Sequence, residues 1–330
     1  ANNFLRVDNV VANVATPMSW IAIMAVGGTV VIISGGIDLS VGSVMALAAL
    51  GVAGVLQQPW FAEHDTAAIV LPAALLVAGG IGLACGFVNG LLIVLLRMHP
   101  FIVTLGTLYI FRGIALIEGM IKTLRVVGRS MADALPERFI AARLGGEASF
   151  IQPMPMVIML LIVAGGWVFL SHTVWGRQIF AVGGNEEAAR FSGLPVGRVK
   201  LRVYMIAGLT AGIAGMVNVG YYQSASTDLA QGYELLVIAA AVVGGASLLG
   251  GRGSALGALL GASVIALIEN SIFILREVNL GFATVGLKQE YSKIIHGIAI
   301  IIAVTIDRLT HHFRERRLVA AGATQRETST

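Results

Sequence analysis

Nine strongly apolar stretches without a single aspartate, glutamate, lysine or arginine run through this chain, and they constrain it more than any other feature. Five are long, at residues 9–37, 39–62, 66–96, 148–176 and 203–227. Four are shorter, at 98–111, 235–251, 253–268 and 294–306. A helix needs about 20 mostly apolar residues to cross the hydrocarbon of a bilayer, so each long stretch is sufficient to span. Asp38, Glu234, Glu269 and Arg112 lie inside or at the edge of this apolar material. The alternation of outer-membrane strands is absent. The pattern predicts an all-α, polytopic membrane helical bundle of about nine segments.

Composition excludes the alternatives. Hydrophobic residues make up 57% of the 330 and charged ones 12%, about half the usual share for a soluble domain. A soluble protein of this size would lack polar surface to cover its core, and a disordered chain would be far less apolar. The lone cysteine, Cys85, rules out a disulfide scaffold and reads as a small packing residue in an apolar run.

Glycine punctuates the spans. A Gly-Gly pair precedes 39–57, and 235–251 runs into Gly244-Gly245 and Gly250-Gly251. Short, Gly-interrupted runs fit broken or re-entrant helices, which a membrane tolerates where protein or a cavity surrounds them, and a kinked but complete span fits equally. Breaks are expected near Gly35–Asp38 and Gly244–Gly251. Glycines at 82, 86 and 90, and again at 253, 257 and 261, line single helix faces and let neighbouring backbones approach closely.

Basic residues set the orientation. Arg177, Arg190, Arg198, Lys200 and Arg202 in 172–202, with Arg308, Arg314, Arg316 and Arg317 in the tail, place both regions in the cytoplasm. The loop 118–150 then lies outside despite its own basic residues. Residues 2–14 fit a short interfacial helix. With no initiator methionine and no basic-start signal, the chain is expected to begin in mid-protein.

Few residues carry chemistry. In Gly35-Gly36-Ile37-Asp38-Leu39-Ser40-Val41-Gly42-Ser43 two glycines end one helix and Asp38 caps the next, facing the positive end of its dipole. Ser40 and Ser43 share a face. Asp38 reads mainly as a cap, with a translocation path running nearby. Asn89, Thr104, Thr107, Asn218 and Asn270 are polar groups in apolar surroundings, suited to interhelical hydrogen bonds or to a path for a polar solute. Glu234 starts a helix or touches substrate, and Arg112 pairs with a carboxylate or snorkels. In 172–202, Asn185 caps a short helix, Glu186 and Glu187 sit in its first turn, and Gly193 with Pro195 ends it. No histidine pair has zinc-enzyme spacing and no Walker A pattern occurs, so no metal site, nucleotide site or enzymatic centre is expected.

The run GGIDLSVGS resembles the signature of membrane permease subunits of bacterial ATP-binding-cassette importers for monosaccharides, such as ribose, galactose, xylose and arabinose. Two further matches follow in the family's order. One is Gly176-Arg177 with Ala181-Val182-Gly183-Gly184-Asn185-Glu186-Glu187-Ala188-Ala189-Arg190-Phe191-Ser192-Gly193. The other is Gly232-Tyr233-Glu234-Leu235 with Val242-Val243-Gly244-Gly245-Ala246-Ser247-Leu248-Leu249-Gly250-Gly251-Arg252-Gly253. The likeness runs from about Asn3 to Arg308. Family members carry a further span ahead of this chain's first residue, about ten in all, and the loop 118–150 is longer and more charged than a ribose permease leads one to expect.

The resemblance implies a permease domain over 1–310, with an ATPase-coupling region near 172–202, and a basic cytoplasmic tail at 311–330. It makes Asn185, Glu186, Glu187, Ala188, Ala189, Arg190 and Gly193 the coupling residues, although the downstream half of the usual coupling motif is not evident. It implies a multi-pass protein of the bacterial inner membrane. Its partners are then cytoplasmic ATPase subunits holding ATP and magnesium, an extracytoplasmic sugar-binding protein, a second permease copy or homologue, and the lipid bilayer, with no nucleic acid. A permease for nucleosides or branched-chain amino acids, a secondary transporter using its intramembrane acids, and a channel-like protein stay open as alternatives.

Overall fold

The computed structural model describes residues 9–64, 66–117, 154–222 and 224–275, with 277–279, 284–286 and isolated positions between 291 and 305. The loop 118–150, the tail 311–330 and most of the segment 294–306 therefore lie outside the described residues. Eleven helices follow in chain order. A π-helical stretch, Val10–Ala15, leads into α1 (Thr16–Ile33), and α2 (Val41–Leu56) follows the first break. Then come a short α3 (Pro59–Glu63), α4 (Ala67–Leu96) and α5 (Pro100–Ala115). Beyond the loop lie α6 (Met154–His172), α7 (Val174–Gly184), α8 (Glu186–Phe191) and α9 (Val196–Tyr222). The last pair, α10 (Tyr233–Val243) and α11 (Ala255–Leu275), precedes a small antiparallel hairpin of β1 (Glu277–Asn279) and β2 (Thr284–Gly286).

Among the described residues five helices are long and apolar enough to cross a membrane, and three shorter apolar ones accompany them, so eight of the nine expected segments fall on described helices. The stretch before α1 is no separate interfacial helix where it is described, because Val10 to Ile33 runs on as one helix of 24 residues.

Two helices form the centre. α1 and α9 are buried along nearly their whole apolar length, whereas α4 and α6 expose most of theirs. α9 lies against α4, α1 and α2. Its run of Ala207, Gly208, Ala211, Gly212, Ala214 and Gly215 explains why, since small residues let backbones meet without a side chain between them. The glycine face expected on α4 is used in this way: a β-carbon at Gly82 would overlap the Gly208 carbonyl, and one at Gly86 the Tyr204 carbonyl. Gly257 and Gly261 on α11 close in the same manner on Gly244 and Ala240 of the α10 end.

Both breaks are real, and both are made by the same local chemistry. At the end of α1, Gly35 has φ +80°, Gly35 N–H donates to Ile32 O and Gly36 N–H to Val31 O. At the end of α10, Gly245 has φ +94°, Gly245 N–H donates to Val242 O and Ala246 N–H to Ala241 O. Each is a Schellman motif, in which a left-handed glycine lets the last carbonyls find donors after the helix stops. α10, with 11 residues, is about 16 Å long, roughly half the hydrocarbon thickness.

Candidate functional site

The first break is a buried polar chain. Asp38 is 5% exposed, and its Oδ1 accepts from the Ser40 N–H at 2.8 Å and from the Ser40 hydroxyl at 2.7 Å. Asn89 on α4 donates its Nδ2–H to Ser40 Oγ at 2.7 Å, and the Ser43 hydroxyl donates to Ser40 O at 2.7 Å. Thr104 on α5 donates to Ile37 O at 3.3 Å and to Pro100 O at 2.9 Å, and the Tyr204 hydroxyl of α9 donates to Ile37 O at 3.4 Å. Thr107 donates to Thr104 O. α5 and α9 thus serve the Ile37 carbonyl that the break exposes, and α4 holds the Ser40 hydroxyl, in keeping with irregular chain at membrane depth needing protein partners.

One detail differs from the sequence reading. The N-cap of α2 is Ser40, and Asp38 acts two residues earlier by accepting the Ser40 N–H. Ser40 does not cap with its own side chain, because its hydroxyl is already engaged by the carboxylate. Asp38 is an indirect cap, held by neutral donors.

Other expected path residues lie elsewhere. Asn270 on α11 exchanges two hydrogen bonds with Asn9, at 3.0 and 3.1 Å. That pair precedes the continuous helix Val10–Ile33, whose 24 residues put it roughly 35 Å from the break. Asn218 is buried on α9, 14 residues beyond Tyr204 and hence about 21 Å along that helix. Asp38, Ser40, Ser43, Asn89, Thr104 and Thr107 form one group; Asn218 and Asn270 do not join it.

Glu234 occupies the first turn of α10, and its carboxylate lies beside Gly42 at the start of α2. Arg112 does something the sequence did not show: its Nη1 donates to Thr227 O at 2.7 Å and to Leu229 O at 2.8 Å. It pins the non-helical segment before α10, with Glu234 and Asp228 adding Coulombic attraction. Backbone partners leave no signature in a sequence.

At the basic end of the bundle, α7 and α8 project between α6 and α9. Thr173 caps α7 by accepting the Gly176 N–H, and Asn185 caps α8 by accepting the Ala188 N–H at 2.9 Å. Glu186 and Glu187 sit in the first turn of α8. A third Schellman motif ends it: Gly193 has φ +79°, Gly193 N–H donates to Arg190 O and Leu194 N–H to Ala189 O. Glu186 pairs with Arg190 at 2.9 Å and with Lys200 of α9 at 2.6 Å, which fixes the helix to the bundle. Ala189, counted among the contact residues, turns inward to pack with Ile179, Val182 and Val199. It seats α8 and offers no outer face. Phe191, not singled out before, is 90% exposed at the far end of α8. Beside the helix a cavity of about 380 Å³ opens between Arg97 and Met98 at the end of α4 and Arg190 and Lys200.

The second and third sequence motifs meet at the end of α1, two residues before the first motif begins. Ile33 O, the last carbonyl of α1, accepts the Gly251 N–H at 2.8 Å, joining the two breaks. Gly183, near the end of α7, packs its backbone against both.

Comparison with known proteins agrees with this arrangement. The family described as branched-chain amino acid transport system, permease component, matches residues 10–304. The ribose import permease protein RbsC of Escherichia coli (strain K12) is 35% identical over 305 residues, covering 92% of this chain and 87% of that protein. RbsC of Bacillus subtilis (strain 168) is 35% identical over 311 residues, covering 93% and 86%. The autoinducer 2 import system permease protein LsrD of Photorhabdus luminescens is 31% identical over 330 residues, covering 100% and 92%. No solved structure matches the chain. With broken helices inside and a capped helix at its basic end, the chain belongs to this family of transport-system permeases, multi-pass proteins of the inner membrane.

Proposed function

We propose that the chain forms the transmembrane path for a monosaccharide or a related polyhydroxylated solute in an ATP-driven importer. Its α8 docks a cytoplasmic ATPase subunit, which holds ATP and magnesium and carries out the hydrolysis. A sugar-binding protein delivers the solute from outside, and a second permease copy or homologue completes the channel. The observation that carries the coupling part is α8 itself: a helix capped at both ends, locked to α9, and exposing Phe191 and Glu187 to solvent. An exposed aromatic on a rigid helix suits an anchor in a partner's groove. The substrate class rests on the relatives, whose names specify ribose and autoinducer 2, together with the GGIDLSVGS run.

The polar group at Asp38 is engaged internally, so the charge acts on the break and the solute passes beside it. Uptake of labelled ribose, galactose, leucine and a nucleoside into proteoliposomes, with the ATPase subunit and binding protein supplied, tests the reading. ATP-dependent uptake of a sugar is expected. Uptake driven by an ion gradient without ATP, or of leucine in preference to any sugar, would overturn it.

A further inference from the structure

Gly183 lies two residues before the cap of α8, and the three atoms nearest to where its β-carbon would stand are all backbone. A β-carbon there would overlap the Ile33 carbonyl oxygen and come 2.9 Å from Gly251 N. Gly250, at φ +85°, faces the Gly183 carbonyl, and Gly251, at φ +72°, lies against Gly184 Cα. Gly251 is in turn hydrogen-bonded to Ile33 O. Three chain segments therefore touch main chain to main chain: the end of α1, the loop after α10, and the link into α8. Contacts of this kind contain no rotatable side chain, so a shift of one segment cannot be absorbed by a rotamer change. Gly184, the next residue, has open space around it. Of the Gly183–Gly184 pair, only Gly183 has no room for a β-carbon.

We propose that this junction is the relay by which a displacement of α8 reaches both helix breaks at once, with Gly183 and Gly250 as positioning residues. The proposal rests on α8 being the ATPase-docking helix. When the ATPase subunits move α8, the Gly183 backbone presses on the Ile33 carbonyl and on Gly250–Gly251 together. The Schellman ends of α1 and α10 then move as a unit, which is the kind of packed, two-position element that coupling needs.

The test compares Gly183→Ala, Gly251→Ala and the control Gly184→Ala in the complete transporter in proteoliposomes. ATP hydrolysis, its stimulation by loaded binding protein, and solute uptake are measured side by side. Gly251→Ala is the milder opening, its β-carbon coming 3.0 Å from Gly184 Cα. Expected in both junction variants is hydrolysis that still responds to the binding protein, with solute moved per ATP down about tenfold. Gly184→Ala should stay within about twofold of the parent. Unchanged solute per ATP in an assembled Gly183→Ala or Gly251→Ala complex would overturn the relay. So would a parallel fall of hydrolysis and uptake, or failure of both variants to assemble, since each would reduce the junction to packing. Failure of the docking reading looks different: disruption of α8 itself would then leave stimulation intact.

Discussion

The first helix break and the cytoplasmic helix α8 make an instructive pair. α1 stops at Gly35 and α8 stops at Gly193 with the same two hydrogen bonds and nearly the same φ, +80° and +79°. What surrounds them differs in kind. Beyond Gly35 the chain enters a buried region where Asp38 accepts the Ser40 N–H, Thr104 and Tyr204 donate to Ile37 O, and Asn89 donates to the Ser40 hydroxyl. Beyond Gly193 it returns to α9, leaving Glu187 and Phe191 in solvent. One stop signal thus serves a buried break in one place and a solvent-exposed helix in the other. Local chemistry ends the helix, and the environment decides the use.

The largest effect is expected from Asp38→Leu. It removes the acceptor for the Ser40 N–H and hydroxyl, and each buried donor left unsatisfied costs about 1–3 kcal/mol. The folded fraction recovered from membranes, read by size-exclusion in mild detergent, should fall steeply. Asp38→Asn keeps an acceptor and should retain most folded protein and transport. Equal loss of transport in two well-folded variants would make the charge itself functional and break the account of this region.

The paired variants Gly35→Val and Gly193→Val sharpen the comparison. Neither β-carbon would meet another atom, so the cost the two share is left-handed strain, about 1–2 kcal/mol. Gly35→Val should lower the melting temperature of the whole bundle. Gly193→Val should instead speed hydrogen exchange only around Glu186–Phe191. Identical global effects would erase the distinction between the two regions.

Thr104→Val deletes one tie between α5 and the break. Because that hydroxyl also bonds Pro100 O, the loss should be near the low end of about 0.5–1.5 kcal/mol in thermal stability. The smallest change in stability is expected from Glu187→Arg. It reverses a charge at an exposed first turn and opposes the helix dipole by a few tenths to ~1 kcal/mol. A circular-dichroism melt of purified protein should barely register it.

Much of this architecture was legible because helix stops have a sequence signature. Gly35, Gly193 and Gly245 each stand one residue past a helix C-cap, and Asn185 stands where a cap belongs. The central position of α1 was not legible. In a membrane a lipid-facing helix and a buried one are both apolar on all sides, so periodicity does not separate α1 from α6. The small-residue density of α9 was the available clue. Asn218 and Asn270 read like the polar residues near Asp38, as interhelical hydrogen-bonders or path groups, because a sequence carries no depth, and the fold places them far from Asp38. Arg112 escaped for another reason, since its partners are the carbonyls of Thr227 and Leu229. Phe191 was passed over as one apolar residue among many, and only its exposure distinguishes it.

In the proposed mechanism α8 couples a partner ATPase to the broken helices of this permease. Stimulation of ATP hydrolysis by the loaded binding protein, in proteoliposomes with complex assembly verified, tests it most directly in Glu187→Arg and Phe191→Ala. Both changes lie outside the apolar spans, so insertion and the path should be unaffected. The account predicts that stimulation collapses in both while the permease remains folded in the membrane. Full stimulation in both variants would contradict it and remove α8 from the coupling mechanism.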